Sequence, residues 1–241
     1  MCGRIALWSL PEDLAEIFGA LPPRLELPDP PRPRYNLAPT EPILVVRGGG
    51  RRGRALEFVS WGIRPDGPAS RLVINARSET VARRPLFRDL VRSDRGAVLA
   101  DAFYEWRNES GVKRAYLVRR RDGRPMALAA LLAPASAERS ARSGVILTTA
   151  ANRLLRPLHG RMPVVLDART EEDWLTGRFD DVARTCLHPS ADDRLELVPV
   201  GRRVNNVRFD DPSCADPCGE TIREPTDWDT RPPAEEQGSF F

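Results

Sequence analysis

Runs of mostly apolar residues, rich in Val, Ile, Leu and aromatic side chains, recur along the chain and predict strands. The predicted strands cover residues 43–47, 55–63, 71–76, 97–106, 115–120, 126–132, 145–149, 164–166 and 195–200. Between two of these runs, Asp122 and Gly123 are typical of a tight turn and predict a hairpin.

Helical patterns occur in fewer segments. A capping box from Ser9 to Glu12 predicts a short first helix, and Thr170, with Asp173 three residues further on, predicts the N-cap of another. The other predicted helices cover residues 79–93, 152–158 and 171–176. Because the strands mostly do not alternate with helices, the predicted fold class is α+β: a curled, largely antiparallel β-sheet approaching a barrel, with a few peripheral helices.

Length and charge then suggest the domain organisation. The chain has 241 residues, of which 41% are hydrophobic, enough for the core of one large domain. The segment after Cys214 is acidic and contains proline, whereas the rest of the chain is basic. We therefore expect a single domain over residues 1–214 and an acidic, disordered tail over residues 215–241. A basic body is also typical of proteins that bind polyanions.

Several classes of protein are disfavoured by composition. No run approaches the roughly 18 apolar residues of a membrane helix and no secretory pattern is present, so we expect a cytoplasmic protein with no membrane partner. The cysteines are too few and too unevenly placed for a disulfide framework. No glycine pattern for a dinucleotide or phosphate loop occurs, and we predict no cofactor. No metal is predicted either, because common zinc modules space their ligands differently from Cys186, His188, Cys214 and Cys218.

Position 2 holds the first candidate for chemistry. A small residue there lets an aminopeptidase remove Met1, which would leave Cys2 with a free amine beside its thiol. The ordinary pKa of an α-amine is about 7.7 to 8.0 and that of a thiol about 8.5, so both are nucleophiles near neutral pH. Such a pair attacks an aldehyde and closes to a thiazolidine, which is much harder to hydrolyse than an imine. The alternative is that Cys2 is only a small buried residue.

Four further polar residues are candidates for catalysis and binding. Glu105 shares the strand face of Phe103 by the period of two, where partial burial would raise its pKa and favour proton transfer. His159 ends a predicted helix and could protonate the ring oxygen of a sugar. Asn75 and Arg77 share another strand face and suit sugar and phosphate. The alternatives are an arginine-paired glutamate, a structural histidine and a solvated strand edge.

Short motifs occur in a fixed order along the chain: MCGR at residues 1–4, YNLAPT at 35–40, WG at 61–62, NARSET at 75–80, FYEW at 103–106 and HGRMP at 159–163. Together they resemble the SOS response-associated peptidase family, also described as abasic-site processing or shield proteins, over about residues 1–212. The resemblance implies a protein that binds single-stranded DNA and crosslinks Cys2 to the ring-opened aldehyde of an abasic site. The adduct would shield that site during the replication-linked response to DNA damage.

The resemblance also implies roles for individual residues. Cys2 is the implied nucleophile, Glu105 and His159 the acid and base, and Asn75 the residue that positions the sugar and the N-terminus. The implied DNA-binding residues are Gly3, Arg4, Arg77, Thr148 and Arg161, with Trp61 and Trp106 as candidates for stacking on splayed bases. For both tryptophans the alternative is a place in the buried core.

The family name sets the expected enzyme class. Its peptidase label refers to removal of whatever precedes the cysteine, which here is Met1, and an aminopeptidase could do the same. We therefore expect lyase-like covalent chemistry, with any hydrolase reaction limited to the first residue of the chain. The expected partner is single-stranded DNA with abasic sites, at the nucleoid during DNA damage, and nothing in the sequence requires more than a monomer.

Two other functions stay open on the sequence. The Met1, Cys2, Gly3 start also resembles N-terminal-nucleophile amidohydrolases such as glutamine amidotransferase domains, whose thiol attacks an amide, although their glutamine-binding motifs are not evident downstream. A non-catalytic nucleic-acid-binding module would account for the basic body alone. It predicts salt-sensitive binding without a covalent product.

Overall fold

The computed structural model describes residues 2–23, 32–48, 53–65, 70–109, 111–135 and 141–228, which form two β-sheets joined by short helices and turns. In chain order the strands are β1 (Ile5–Leu7), β2 (Ala20–Leu21), β3 (Arg34–Leu37), β4 (Pro42–Gly48), β5 (Arg54–Trp61), β6 (Asn75–Arg77), β7 (Arg95–Ala100), β8 (Ala102–Glu109), β9 (Val112–Arg120), β10 (Met126–Ala133), β11 (Ser143–Ala150), β12 (Arg161–Pro163), β13 (Val165–Leu166) and β14 (Leu195–Val200). The helices are α1 (Pro11–Ile17), α2 (Leu90–Ser93), α3 (Ala168–Thr176) and α4 (Phe179–Cys186).

The larger sheet curls until two of its strands meet. Its order is β12-β11-β10-β7-β4-β5-β2, with β13 paired to β10 and β6 paired to β11. Ser143 and Gly144 of β11 also pair with Ser60 and Trp61 of β5, so that β11, β10, β7, β4 and β5 form a closed ring. β10 is buried at every position, which explains its continuously apolar sequence. The predicted α+β class, with a curled and largely antiparallel sheet, is confirmed.

The smaller sheet has the order β14-β9-β8-β1-β3 and is antiparallel throughout. Successive side chains of β8 point to opposite faces, so Phe103 packs into the main core and Tyr104 into a second buried cluster with Leu117 and Val198. The same alternation returns Glu105 to the face of Phe103. The smaller sheet therefore presents this carboxyl group toward the larger one.

The chain crosses between the sheets at two places where the sequence predicted otherwise. The predicted strand over residues 97–106 is two strands, β7 and β8, interrupted at Asp101, whose carboxylate accepts the N–H groups of Trp8 and Ser9, both at 2.7 Å. The predicted hairpin at Asp122 and Gly123 is wrong, since β9 belongs to the smaller sheet and β10 to the larger. Turn residues mark a change of direction but not the partner of the next strand.

Prolines shorten two predicted helices. Residues 79–93 form a 3-10 turn at Val81–Arg83 and then α2, because Pro85 holds Arg84 in an extended conformation. Residues 152–158 form only turns, and Pro157 has no N–H with which to continue a helix.

The predicted caps also differ from the observed ones. Asp167 is the N-cap of α3 and accepts the N–H of Thr170 at 2.9 Å, so Thr170 is the second member of the capping box. α1 follows Leu10, because the hydroxyl of Ser9 donates to Asp101 instead of capping the helix. The sequence patterns missed β1, β2, β3, β12 and α4, most of which are short or mix polar with apolar residues.

Residues 215–228, which the sequence assigned to the acidic tail, lie against the body of the protein. Ile222 is buried and forms a bridge to Leu197 of β14, and the indole N–H of Trp228 donates to the Leu154 carbonyl at 3.0 Å. The packed chain thus extends past the expected boundary at residue 214, while residues 229–241 lie outside the described residues. In the described ranges, no helix is long and apolar enough to cross a membrane.

Candidate active site

The first residues of the chain are held between the two sheets. The Tyr104 N–H of β8, in the smaller sheet, donates to the Arg4 carbonyl at 2.9 Å. From the larger sheet, the side-chain Nδ2 of Asn75 in β6 donates to the Cys2 carbonyl at 2.7 Å. Cys2 is fully buried, and Gly3 beside it is half-buried. The residue predicted as nucleophile therefore lies where strands of both sheets supply side chains.

The surroundings of the Cys2 thiol favour its neutral form. Burial raises the pKa of the thiol well above its usual range, and the negative charge of Glu105 acts in the same direction. The charge of the amino terminus opposes both without reversing them. At neutral pH the buried sulfur is therefore a thiol, and it needs a base or a new environment before it attacks.

Glu105 is the buried carboxyl group of the site, with 3% of its surface exposed. Burial raises its pKa, while the positive charges of the amino terminus and of His159 act in the opposite direction. A carboxyl group that keeps its proton to a higher pH than usual is better suited to donate that proton and take it back. Glu105 interacts with both the Cys2 thiol and His159, so these groups lie close enough to exchange protons.

His159 is oriented by two backbone contacts. Its own N–H donates to the Leu155 carbonyl at 3.1 Å, and the Arg161 N–H donates to its Nδ1 at 2.9 Å. Because Nδ1 is an acceptor, the neutral ring carries its hydrogen on Nε2. The half-buried imidazole can therefore offer an Nε2–H donor to a ligand.

A parallel strand pair positions the polar groups on the other side of the site. In β6, Asn75 lies opposite Ile146 of β11 and Arg77 lies opposite Thr148. Asn75 is half-buried and Arg77 is exposed, while Ala76 between them is buried, so the two polar residues do share a face. Arg77 makes no ion pair with any residue that the structure describes. Together with the hydrogen bond from Arg161, its charge lowers the pKa of Glu79, and its exposed guanidinium can also meet an anion.

Arg161, by contrast, is already engaged. It forms a two-point ion pair with Glu79, at 3.1 and 2.9 Å, and its Nε donates to the hydroxyl of Thr148 at 3.2 Å. Thr148 is fully buried, and its hydroxyl holds Arg161 in place. Arg161 can reach a phosphate only by leaving Glu79.

A cavity of about 440 Å³ adjoins these residues. Its lining includes Asn75, Arg77 and Thr148, together with Arg84, Leu86 and Phe87. It combines an amide and two cations with an aromatic wall. Such a lining suits a nucleotide better than a purely apolar molecule.

The two tryptophans predicted to stack on bases differ. Trp61 is fully buried, and its indole N–H donates to the Ile74 carbonyl at 3.2 Å, so it belongs to the core and no base can reach it in this structure. Trp106 is half-buried, with the Arg4 guanidinium 5.9 Å from its ring centroid. Only Trp106 is placed where a base could stack.

Sequence reasoning missed several residues that shape this site. Asn36 accepts a hydrogen bond from Arg4, and Asn205 accepts one from the Trp106 indole at 2.7 Å. Glu79 forms an ion pair with Arg161. Asn36 and Glu79 lie inside the motifs at residues 35–40 and 75–80, which was the signal available. Asn205 follows an arginine pair in a segment without any pattern of its own.

The cysteines give no metal centre in the part of the chain that the structure describes, where no group of three or more His, Cys, Asp or Glu residues could hold an ion. Cys186 contacts the Thr170 carbonyl and Cys214 contacts the Phe209 carbonyl. All four cysteines are free thiols.

Comparison with known proteins adds to this geometry. Residues 1–207 match the family model described as SOS response associated peptidase (SRAP). The chain is 31% identical over 223 residues to the abasic site processing protein YoqW of Bacillus subtilis, with 88% of this chain and 97% of that protein covered. It is 30% identical over 216 residues to the abasic site processing protein YedK of Escherichia coli, with 86% and 96% covered. A solved structure from Bordetella bronchiseptica has a TM-score of 0.69 at 28% identity, over 83% of this chain and 100% of that one.

Proposed function

The chain belongs to the SOS response associated peptidase family, and from this premise we propose that it processes abasic sites in single-stranded DNA through a covalent adduct on Cys2. Relatives at about 30% identity carry the name abasic site processing protein. The observation that carries the proposal is the convergence of distant residues on Cys2. Asn75 holds its carbonyl, the charge of Glu105 acts on its thiol, and the charge of His159 acts on Glu105.

The reaction begins with removal of Met1, which converts the amide nitrogen of Cys2 into a free amine. That amine attacks the aldehyde carbon of the ring-opened sugar, and the adduct loses one water to form an imine. The imine is still protonated on nitrogen, so the Cys2 sulfur adds to its carbon and gives the thiol proton to Glu105, which closes a thiazolidine. The amine attacks first because burial keeps the sulfur in its thiol form until the imine is in place.

Glu105 and His159 supply the protons. The raised pKa of Glu105 suits it to protonate the departing hydroxyl as water and then to accept the thiol proton. The Nε2–H of His159 is the donor for the ring oxygen of the closed sugar, which favours the open aldehyde. Asn75 keeps the Cys2 backbone in place while these transfers occur.

DNA binding is assigned to the exposed and half-buried groups around Cys2. Arg77 and Arg4 are the cations for the flanking phosphates, and Trp106 offers a ring for a base of a single strand. Arg161 joins them when it leaves Glu79. The adduct shields the abasic site while it lasts, and the protein acts as a monomer.

Intact-mass spectrometry tests this proposal. The protein is measured alone and after incubation with a single-stranded oligonucleotide that carries one abasic site, beside an undamaged strand and the Cys2→Ala variant. We expect a mass without Met1 and a stable adduct of one protein with one strand, formed only by Cys2 and the abasic strand. Retention of Met1, or an adduct that also forms with Cys2→Ala, would overturn the proposal.

The same measurement separates the two routes of Met1 removal. Glu105→Gln is compared with wild type after production in cells. If the chain removes Met1 itself with the help of Glu105, the variant keeps Met1. If an aminopeptidase removes it, the variant starts at Cys2 as the wild type does.

A further inference from the structure

The side chain of Asn36 lies at the centre of a buried contact network beside the active site, with 1% of its surface exposed. Its Oδ1 accepts a hydrogen bond from Nη1 of Arg4 at 2.5 Å. Its Nδ2 donates to the backbone carbonyls of Val204, Asn206 and Phe209, at 3.3, 3.1 and 2.6 Å. One amide therefore joins the start of the chain to a loop near its other end.

This loop, residues 202–209, is exposed and basic. Arg202 and Arg208 make no ion pair with any other described residue, and Arg203 pairs with Asp211 at its edge. Within the 202–209 loop, Asn205 accepts the indole N–H of Trp106. The loop thus places cations next to the ring that the proposed function assigns to a base.

Arg4 is held by uncharged hydrogen-bond partners, while the negative charge of Glu41 acts on it from beyond ion-pair distance. Its Nη1 donates to the Asn36 amide and to the Val204 carbonyl, both of which are uncharged. Its Nε is buried and has no hydrogen-bond partner in the described ranges, and no described carboxylate forms an ion pair with it. A half-buried cation with neutral partners keeps its attraction for an anion, whereas a carboxylate at residue 36 would cancel it.

We propose that Asn36 is a positioning residue for DNA binding. It fixes Arg4 and the 202–209 loop together, as part of the surface that takes the phosphates beside the abasic site. The inference rests on the proposed function, because DNA phosphate is the anion assigned to Arg4. Asn36 does not touch the reacting atoms. Its loss therefore changes the affinity for DNA and leaves the rate of adduct formation at saturating protein intact.

The test is a double-mutant cycle on binding of an undamaged single-stranded oligonucleotide. Kd is measured at several salt concentrations for wild type, Asn36→Ala, Arg4→Ala and the double variant. We expect Asn36→Ala to raise Kd about 10-fold, equivalent to about 1.4 kcal/mol. It should lower the slope of log K against log salt by about one, as loss of one phosphate contact does. In the Arg4→Ala background, Asn36→Ala should have a clearly smaller effect.

Asn108→Ala is the matched control, because it removes an exposed asparagine at the end of β8, outside the 202–209 loop, whose side chain accepts the Gly111 N–H. It should bind DNA as the wild type does. Thermal unfolding of each variant checks the fold. If Asn36→Ala does not fold, Asn36→Ser, which leaves a hydroxyl group in place of the amide, goes through the same cycle.

The outcomes separate this inference from the proposed function. Equal Kd and salt slope for Asn36→Ala and Asn108→Ala, or additive effects of Asn36→Ala and Arg4→Ala, overturn the positioning role while wild-type adduct formation still supports the proposed function. A wild-type protein that binds no single-stranded DNA and forms no adduct overturns the proposed function itself.

Discussion

Replacing Glu105 by Gln removes a titrating group from the site while it keeps the size of the side chain. We predict that the variant forms the adduct about 10² to 10⁴ times more slowly than the wild type, the usual contribution of a positioned acid or base. The wild-type rate should also show the raised pKa of Glu105 in its pH profile, and the variant should lack that titration. The assay is the single-turnover appearance of crosslinked strand on a denaturing gel.

The same substitution, which should slow the reaction, should make the folded chain more stable. Burial raises the pKa of Glu105, so the folded chain binds its proton more tightly than the unfolded chain. This contribution is fully present below the unfolded pKa of about 4.3 and is lost as pH rises through the folded pKa, at about 1.4 kcal/mol per pKa unit. Relative to wild type, Glu105→Gln should therefore gain stability between acid and neutral pH, measured by chemical unfolding at each pH.

Glu171→Gln is the control for burial without chemistry. Glu171 is also buried, burial also raises its pKa, and it pairs with Arg54 at α3, away from the catalytic groups. Its replacement should leave the rate of adduct formation unchanged. The reasoning is refuted if Glu105→Gln stays within about threefold of wild type at every pH, or if Glu171→Gln slows the reaction equally.

Three further outcomes follow from the structure. Trp61→Ala should lower the free energy of unfolding by about 3 to 5 kcal/mol in chemical unfolding. Trp106→Ala should keep most of the stability and weaken binding of undamaged single-stranded DNA by about 1 to 3 kcal/mol. The opposite pattern would contradict the assignment of Trp61 to the core. Glu79→Gln should release Arg161 and tighten DNA binding at low salt. The slope of log K against log salt should become steeper by up to about one unit. An unchanged slope would mean that Arg161 does not contact phosphate. Truncation after residue 228 should leave the melting temperature unchanged. Truncation after residue 214 should lower it, because Ile222 and Trp228 pack on the body of the protein. Equal melting temperatures would place the end of the domain at residue 214.

The parts of the fold that the sequence predicted are those in which burial controls the pattern. β10 is covered on both faces and has an unbroken apolar sequence, and the alternation in β8 correctly put Glu105 on the face of Phe103. The sequence could not predict which sheet a strand joins, because Gly123 turns the chain in the same way for a hairpin as for a crossing. Which strands pair depends on segments far apart in the sequence, and a local pattern does not predict it.

The same limit applies to the site. Cys2, Asn75, Glu105 and His159 were identified by residue type and motif, yet nothing in their spacing shows that β6 and β8 meet at the first residues of the chain. Trp61 and Trp106 follow similar strand patterns, and only tertiary packing puts one in the core and the other beside Arg4. Asn36 stood out only as part of the motif at residues 35–40, because three of its partners lie about 170 residues further along the chain.

The burial of Cys2 has a consequence for the order of events during synthesis. Residue 2 leaves the ribosome first, but Asn75, Glu105 and His159, which surround it in the folded chain, are made much later. Cys2 is fully buried once those segments are in place, so its backbone is more accessible before the chain has folded. Under the proposed function, we therefore expect an aminopeptidase to act on the chain before it folds, and any later release of Met1 to fall to the residues around Cys2.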